Sequence, residues 1–490
     1  MGQELILVLD EGTTSTRAML FALDGRVVAQ AQRELTQFYP APGHVEHDAR
    51  EIWERTIACA RDVVAQAGNP DDIVAIGITN QRETVVAWDR QSGEPLARAL
   101  VWQDRRTAQQ CETLKAAGQE ALVQEKTGLL LDPYFSATKM RWLLDNEPAV
   151  AAAAAAGRLA LGTVESWLTF KLSGGAHQSD ASNASRTLLL PLEGSGWDAG
   201  LCDLFGVPRA ALPEVTDNAG RLALASAEWL GRVLPITGMA GDQQAATIGQ
   251  ACLSPGDTKA TYGTGAFILS NTGAAPPRSQ NRLLGTVLYQ MDGRRRYALE
   301  GSVFVAGSLV QWLRDSLGIV DSAGQTEMLA RSVPDSGGVV IVPALTGLGA
   351  PHWRPEARGA IHGLSFATGK AQIARAALEA MAYQTSDLAT AFAADGAPWS
   401  RLRIDGGMSA NDWLAQDLAD MLDIPVERPD FVETTALGAA MLAAVGAGLF
   451  ADLPAAAAAM GGARRSFMPA MDAETRAERF ARWQRALAGV

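Results

Sequence analysis

Two stretches far apart in the chain follow one pattern, and no other feature limits the fold as strongly. Residues 5–10 form a short continuous apolar run ending on an aspartate, 11–15 are a Gly/Thr/Ser turn, and 17–23 are apolar again. In the second half, residues 258–262, the turn Gly263-Thr264-Gly265 and residues 266–270 repeat the arrangement. An apolar run this short, without polar alternation, reads as a strand covered on both faces, so helices must lie on each side of the sheet it joins. A chain of 490 residues is long enough for two such units. The expectation is an α/β protein of two related domains facing a cleft, spanning 1–249 and 250–490.

The rest of the chain supplies alternating elements. Asp24-Gly25 is a hairpin signal that returns the chain into residues 27–32. Ile52, Thr56, Ala60 and Val63 recur at helical spacing within 49–67. Further strands are expected at 73–79, 83–89, 284–290, 296–300, 402–405 and 425–428, and helices at 304–317, 412–422 and 435–445. Segments 194–196 and 273–280 read as loose.

A formal net charge of −12 disfavours nucleic acid and stable association with an anionic membrane, since neither is attracted to an acidic surface. No run of about 18 apolar residues occurs, so no membrane-spanning helix is expected. Glu4 interrupts the start of the chain, which speaks against a signal peptide. Cys59, Cys111, Cys202 and Cys252 stand alone, without a C-x-x-C pair, as in a reducing compartment. The expected location is cytoplasmic.

Several segments carry chemistry. Asp10 ends the first buried strand, where a carboxylate is costly unless paired or metal-bound. After it come Gly12, which lets backbone approach a phosphate, the hydroxyls of Thr13, Thr14 and Ser15, and Arg17. An ordinary hairpin turn is the competing reading. The turns at 262–265 and 405–407 are weak singly, but three Gly-rich turns at strand ends suit a nucleotide cleft. Residues 363–370 have five residues between the glycines and Ala371 where a P-loop places Ser or Thr, so the standard P-loop is absent. Residues 44–48, flanked by Pro40, Pro42 and Gly43, read as a solvated loop rather than a metal site. Arg82 beside Glu83 suits a polyhydroxy ligand, or is a surface ion pair. Asp242, after the apolar stretch 234–240, is a candidate general base or a helix cap.

In order along residues 4–450, the segments LDEGTTSTR (9–17), GITNQRET (77–84), WQDRR (102–106), DPYFSATK (132–139), SNASRT (182–187), GMAGDQQAA (238–246), TYGTGAF (261–267), LEGSVFVAG (299–307) and IDGGMSAN (404–411) resemble the FGGY carbohydrate kinases. Within that family, NQRET, WQDRR and DPYFS resemble the glycerol-phosphorylating branch. The resemblance implies two actin-like (ribonuclease H-like) α/β domains around a catalytic cleft, ATP and Mg²⁺ as cosubstrate and metal, glycerol as acceptor, and a homodimer or homotetramer. It implies that Thr13, Thr14, Ser15 and Arg17 lie by the terminal phosphate, and that Thr264, Gly307, Gln311, Gly407 and Asn411 hold the remaining nucleotide. It implies that Arg82, Glu83, Tyr134, Asp242 and Gln243 bind acceptor hydroxyls beneath Trp102 and Phe267. Asp242 would be the base, with Asp10 and Asp242 as metal ligands.

The chain departs from the family in one region. Residues 221–232 contain one internal glycine, Gly231, where many bacterial relatives have a Gly-rich loop for fructose bisphosphate. No histidine occurs between His177 and His352, where other members carry a phosphorylated one. Two rival readings are a kinase of the same family acting on another polyol or ketose, and an actin-like nucleotide-dependent scaffold.

Overall fold

The computed structural model describes residues 4–354, 356–431 and 433–490. The first sheet is built from β1 (Leu5–Glu11), β2 (Ser15–Ala22), β3 (Val27–Glu34), β4 (Ile73–Asn80), β5 (Ala219–Ala225) and β6 (Leu234–Gly241). The second holds β7 (Asp257–Tyr262), β8 (Ala266–Gly273), β9 (Leu284–Met291), β10 (Arg294–Val303), β11 (Arg401–Asp405), β12 (Val426–Pro429) and β13 (Arg464–Phe467). Their orders match strand for strand. The first runs β3-β2-β1-β4-β6-β5 and the second β10-β8-β7-β11-β12-β13, with β9 added outside β10. In both, the first three strands are antiparallel, the next two join in parallel, and the last returns antiparallel.

Every residue of β1 is buried, and its two faces have different covers, as the period of two requires. Leu5, Leu7 and Leu9 pack with Ile52, Trp53, Ile57 and Ala60 of α1 (Ala49–Ala65). Ile6 and Val8 pack with Ala436, Ala439 and Ala440, which belong to a helix more than four hundred residues later. Among the helices that frame the cleft, α2 is Asp242–Gly249, α3 Gly307–Asp315, α4 Lys370–Ala394, α5 Asp412–Leu422 and α6 Thr434–Gly446. Packing runs across the boundary expected near Gly249: α6 lies on the first sheet, and α2 reaches β7 and β8 of the second. Where α2 and α6 cross, the backbones touch. A Cβ on Gly438 would stand 1.8 Å from the Ala245 carbonyl oxygen, and one on Gly249 2.0 Å from that of Thr434.

Three local expectations need correction. The strand expected at 83–89 begins only at Val86, because Glu83 adopts φ 62°, outside extended space. The helix expected at 304–317 is confined to Gly307–Asp315. The loop at 44–48 is not solvated throughout. His47 is 1% exposed; its Nε2 donates to Gln37 Oε1 at 2.9 Å, and its Nδ1 faces the Gln81 amide at 3.4 Å. Among the described residues no helix is long and apolar enough to cross a membrane, and all four cysteines are free and buried.

Two predictions follow from the packing. Gly438→Ala forces a methyl into the α2–α6 crossing, and overpacking of this kind costs about 1–3 kcal/mol. Scanning calorimetry should show an earlier unfolding transition, and an unchanged one would mean that the two helices part without cost. Burial pushes the His47 imidazole down from 6.5 to about 4. A lowered folded value means that the unfolded state binds more protons, so this contribution is complete above about 6.5 and is lost as pH falls through about 4. His47→Gln cannot titrate. The stability advantage of the parent over it, measured by urea unfolding, should shrink steadily between pH 6.5 and 4.

Candidate active site

The buried strands of the first sheet end together at one rim of the cleft. β4 delivers Asn80, Gln81, Arg82 and Glu83, and β6 delivers Gly241 directly before Asp242, the first residue of α2. Arg82 and Glu83 are 3% and 1% exposed, which excludes the surface ion pair that competed for them. They form half of a buried quartet. Arg82 Nη1 and Nη2 grip the Glu300 carboxylate at 2.5 and 3.2 Å. Arg186 Nη2 donates to the same carboxylate at 2.9 Å, and Arg186 Nε to Glu83 Oε1 at 2.6 Å. Two guanidinium groups and two carboxylates thus bind one another directly. The two guanidinium groups outweigh desolvation at Glu300 and hold its carboxyl down to about 2. At Glu83 burial prevails and its carboxyl is raised. The left-handed Glu83 is the kind of backbone strain that persists where surrounding contacts over-determine a conformation.

Above this floor stands an aromatic wall. Trp102 meets Tyr134 edge-to-face at 5.6 Å between centroids and Phe267 at 6.5 Å. The Tyr134 hydroxyl reaches Arg82 Nη2 at 3.5 Å. Asp242 is partly open to solvent. Its Oδ1 lies 3.3 Å from Arg82 Nε and takes the Gln243 amide at 2.7 Å. A polar, charged cluster thus borders an aromatic one. Contacts of this kind link Arg82, Glu83, Trp102, Tyr134, Asp242, Gln243 and Phe267.

On the neighbouring side, the turn at Gly12–Ser15 is closed by the Gly12 amide donating to Ser15 O at 3.0 Å. Trp102 Nε1 donates to Thr13 Oγ1 at 2.9 Å, which joins this turn to the aromatic wall. Gln32 Nε2 holds Ser15 Oγ at 3.0 Å, and Thr14 is exposed. Asp10 lies buried at the end of β1. Burial raises its carboxyl, while Arg17, donating at 2.6 Å, pulls the other way. Arg17 also pairs with Glu433 at 2.5 Å, just before α6. With two carboxylates on its guanidinium, Arg17 ties β2 to the residue that precedes α6.

The second sheet presents the other wall. The turn at 263–265, the start of α3 and the turn at 406–407 converge: a Cβ on Gly307 would sit 2.5 Å from Gly263 O and 3.1 Å from Met408 Cγ, and one on Gly406 2.6 Å from Tyr262 O. Only glycine allows this approach. Thr264 and Gly407 are exposed at the mouth, as is Gln311 on α3. Asn411 caps α5 through Oδ1, which accepts from the Leu414 amide at 2.9 Å, while its buried Nδ2 has no partner among the described residues. An unsatisfied buried donor is costly and marks a place for a ligand acceptor.

Three residues here escaped sequence reasoning as site members: Arg186 and Glu300 complete the quartet, and Lys259 supports Gln243. Their partners lie up to 218 residues away; Glu300 and Lys259 were at least charged residues inside largely buried strands, while Arg186, in a turn, carried no such signal. Asp405, in the turn expected at 405–407, accepts from Gln250 and Thr434 at 3.0 and 2.6 Å.

Comparison with known proteins agrees with this arrangement. The model of the N-terminal domain of the FGGY family of carbohydrate kinases matches residues 5–249, and that of the C-terminal domain matches 258–447. The chain is 54% identical over 488 residues to a glycerol kinase of Rhodospirillum rubrum, covering 99% of this chain and 98% of the relative. Among solved structures, Plasmodium falciparum glycerol kinase with ADP has a TM-score of 0.94 at 34% identity, covering 99% and 98% of the two chains. A gluconate kinase from Lactobacillus acidophilus has a TM-score of 0.88 at 21% identity over 99% of each chain, a likeness of fold alone. Two matched halves, a cleft between them and relatives aligned from end to end lead to one assignment: the chain belongs to the FGGY family of carbohydrate kinases.

Proposed function

We propose that this enzyme transfers the terminal phosphoryl group of ATP to a primary hydroxyl of glycerol, giving glycerol 3-phosphate and ADP. The observation that carries the reading is the Arg82–Asp242 contact at 3.3 Å beneath the edge-to-face rings of Trp102, Tyr134 and Phe267. The relatives of about 54% identity named as glycerol kinases support the same acceptor. In this reading the two units, 1–249 and 250–490, are actin-like (ribonuclease H-like) domains. The first binds glycerol and the terminal phosphate; the second binds the rest of the nucleotide. The matched strand orders support the pairing.

Phosphoryl transfer leaves little covalent work to a protein, so positioning and charge balance dominate. Arg82 and Glu83, locked in the buried quartet, set one end of the acceptor, and the aromatic wall covers its carbons. Asp242 orients the attacking hydroxyl and takes its proton as the new P–O bond forms. Thr13, Thr14 and Ser15 offer hydroxyls to the terminal phosphate, with Arg17 holding their turn against α6. Thr264, Gly307, Gln311, Gly407 and the free amide of Asn411 line the rest of the nucleotide.

The fit of a divalent cation is tested by Asp10 and Asp242, whose carboxylates are close enough for one to raise the other. Two hard oxygen donors that repel across a polar gap suit Mg²⁺, which keeps several waters when it binds phosphates. Asp10 and Asp242 would hold it, and its charge would offset that of the phosphates. Oligomerisation as a dimer or tetramer and a cytoplasmic location belong to the same proposal.

The test is glycerol-dependent ADP release, run beside erythritol, xylulose, ribulose and gluconate. A preference for one of those over glycerol would favour the rival kinase reading; ATP hydrolysis without any phosphorylated acceptor would favour a scaffold. Asp242→Asn keeps size and hydrogen bonding but cannot readily take the proton. Its kcat should fall at least about 100-fold with nucleotide affinity retained. A rise in KM at unchanged kcat would instead limit Asp242 to binding.

A further inference from the structure

Lys259 on β7 is fully buried, at 0% exposed, yet it has no ion pair among the described residues. Its ammonium donates to Gln243 Oε1 at 2.5 Å and to Thr261 Oγ1 at 2.8 Å. Its direct acceptors are both neutral, the carboxylates of Asp405, Asp242 and Glu300 act on it only from beyond ion-pair distance, and a buried charge without a close counter-charge is costly. Packing alone therefore gives no reason for a lysine at this position.

The consequence lies in Gln243. An ammonium can only donate, so the amide atom facing it must be the oxygen. The Gln243 nitrogen is thereby turned away from Lys259, and it has no hydrogen-bond partner among the described residues. The neighbouring Asp242 carboxylate, 3.3 Å from Arg82, can only accept. We propose that Lys259 is a positioning residue for the acceptor alcohol: by locking Gln243 as an obligate donor, it makes a hydroxyl lying between Gln243 and Asp242 accept from the amide and point its proton at the carboxylate. The O–H proton then passes to Asp242 as the oxygen lone pair forms the new bond to phosphorus and the bond to the departing ADP oxygen breaks. Lys259 lies on the second sheet and Gln243 on α2, so the polarity of the acceptor site is set from across the cleft. This inference rests on the kinase reading above.

The experiment compares Lys259→Met, Lys259→Arg, Gln243→Ala and the double variant Lys259→Met/Gln243→Ala. For each, kcat/KM for glycerol is measured, with nucleotide affinity by calorimetry and the thermal midpoint. The expected result is a loss of at least about tenfold in kcat/KM for Lys259→Met, the scale of one misdirected hydrogen bond. Nucleotide affinity and thermal midpoint should hold, and Lys259→Arg should recover part of the rate. In the Gln243→Ala background, Lys259→Met should cost nothing further, because residues acting through one another are not additive. Multiplying losses in the double variant, or unchanged kcat/KM in Lys259→Met, would overturn the proposal. Should Lys259→Met fail to fold, Gln243→Glu decides: it pairs with Lys259 and removes the donor, so it must lose glycerol use while staying folded, and full activity would refute the idea. An unsubstituted enzyme that releases no ADP with glycerol would defeat the kinase reading itself, a failure recognisable before any variant is made.

Discussion

Helices α2 and α6 cross with no side chain between them, and the cleft is built outward from that contact. Gly249 and Gly438 bring the two backbones to a distance that any Cβ would prevent. Because α2 starts at Asp242 and α6 starts one residue after Glu433, the crossing also fixes where the acceptor-side carboxylate stands relative to the Arg17–Glu433 pair. A gap of even one methyl group there would move both ends. Small residues are repeated along α6, with Ala436, Ala439, Ala440 and Ala443 all packed into the first sheet's core, so the helix can sit close to β1, β4 and β6 along its whole length.

Charge is arranged around that frame in the same spirit. The quartet of Arg82, Glu83, Arg186 and Glu300 joins side chains from both halves and is neutral in sum. A buried ion pair gains little net stability over apolar packing, but removing one member leaves its partners uncompensated. The arrangement therefore serves definition of geometry more than strength. It holds Arg82 where it can face Asp242, and it holds Glu83 in a backbone conformation that a free loop would abandon. Asn411 and Asp405 show the opposite condition. Each keeps one buried polar atom without a partner among the described residues, and both stand on the wall where the Gly-rich turns converge.

The strands at the heart of each sheet were legible in the sequence because an uninterrupted apolar run has one economical explanation, burial on both faces. The hairpin at Asp24-Gly25 and the turn ahead of β8 were legible for a local reason, since their backbone conformations restrict residue choice within a few positions. Of the candidate site, Arg82, Glu83 and Asp242 stood out as charged residues beside apolar strands, while Trp102, Tyr134, Gln243 and Phe267 were singled out through the family resemblance alone. Arg186, Glu300 and Lys259 were missed because their meaning lies in partners brought in from other elements. His47 was misjudged because Pro40, Pro42 and Gly43 signal a loop correctly but say nothing about what folds over it. The exchange of helices between the halves has no local signature at all: the apolar stretch at α6 reads equally well as a helix on its own sheet.

That exchange has a consequence for how the chain comes into being. During synthesis β1, β2 and β4 emerge early, and α1 can cover one face of their sheet at once. The other face, with Ile6, Val8 and Phe21, must wait for residues 434–446. Ribosomes add roughly 5–20 residues each second, so the bare face persists for about 10–40 s after residue 250 has been made. For that interval the nascent chain presents an oily sheet to the surrounding solution. A message truncated before residue 434 therefore yields a product that lacks the native cover of that face.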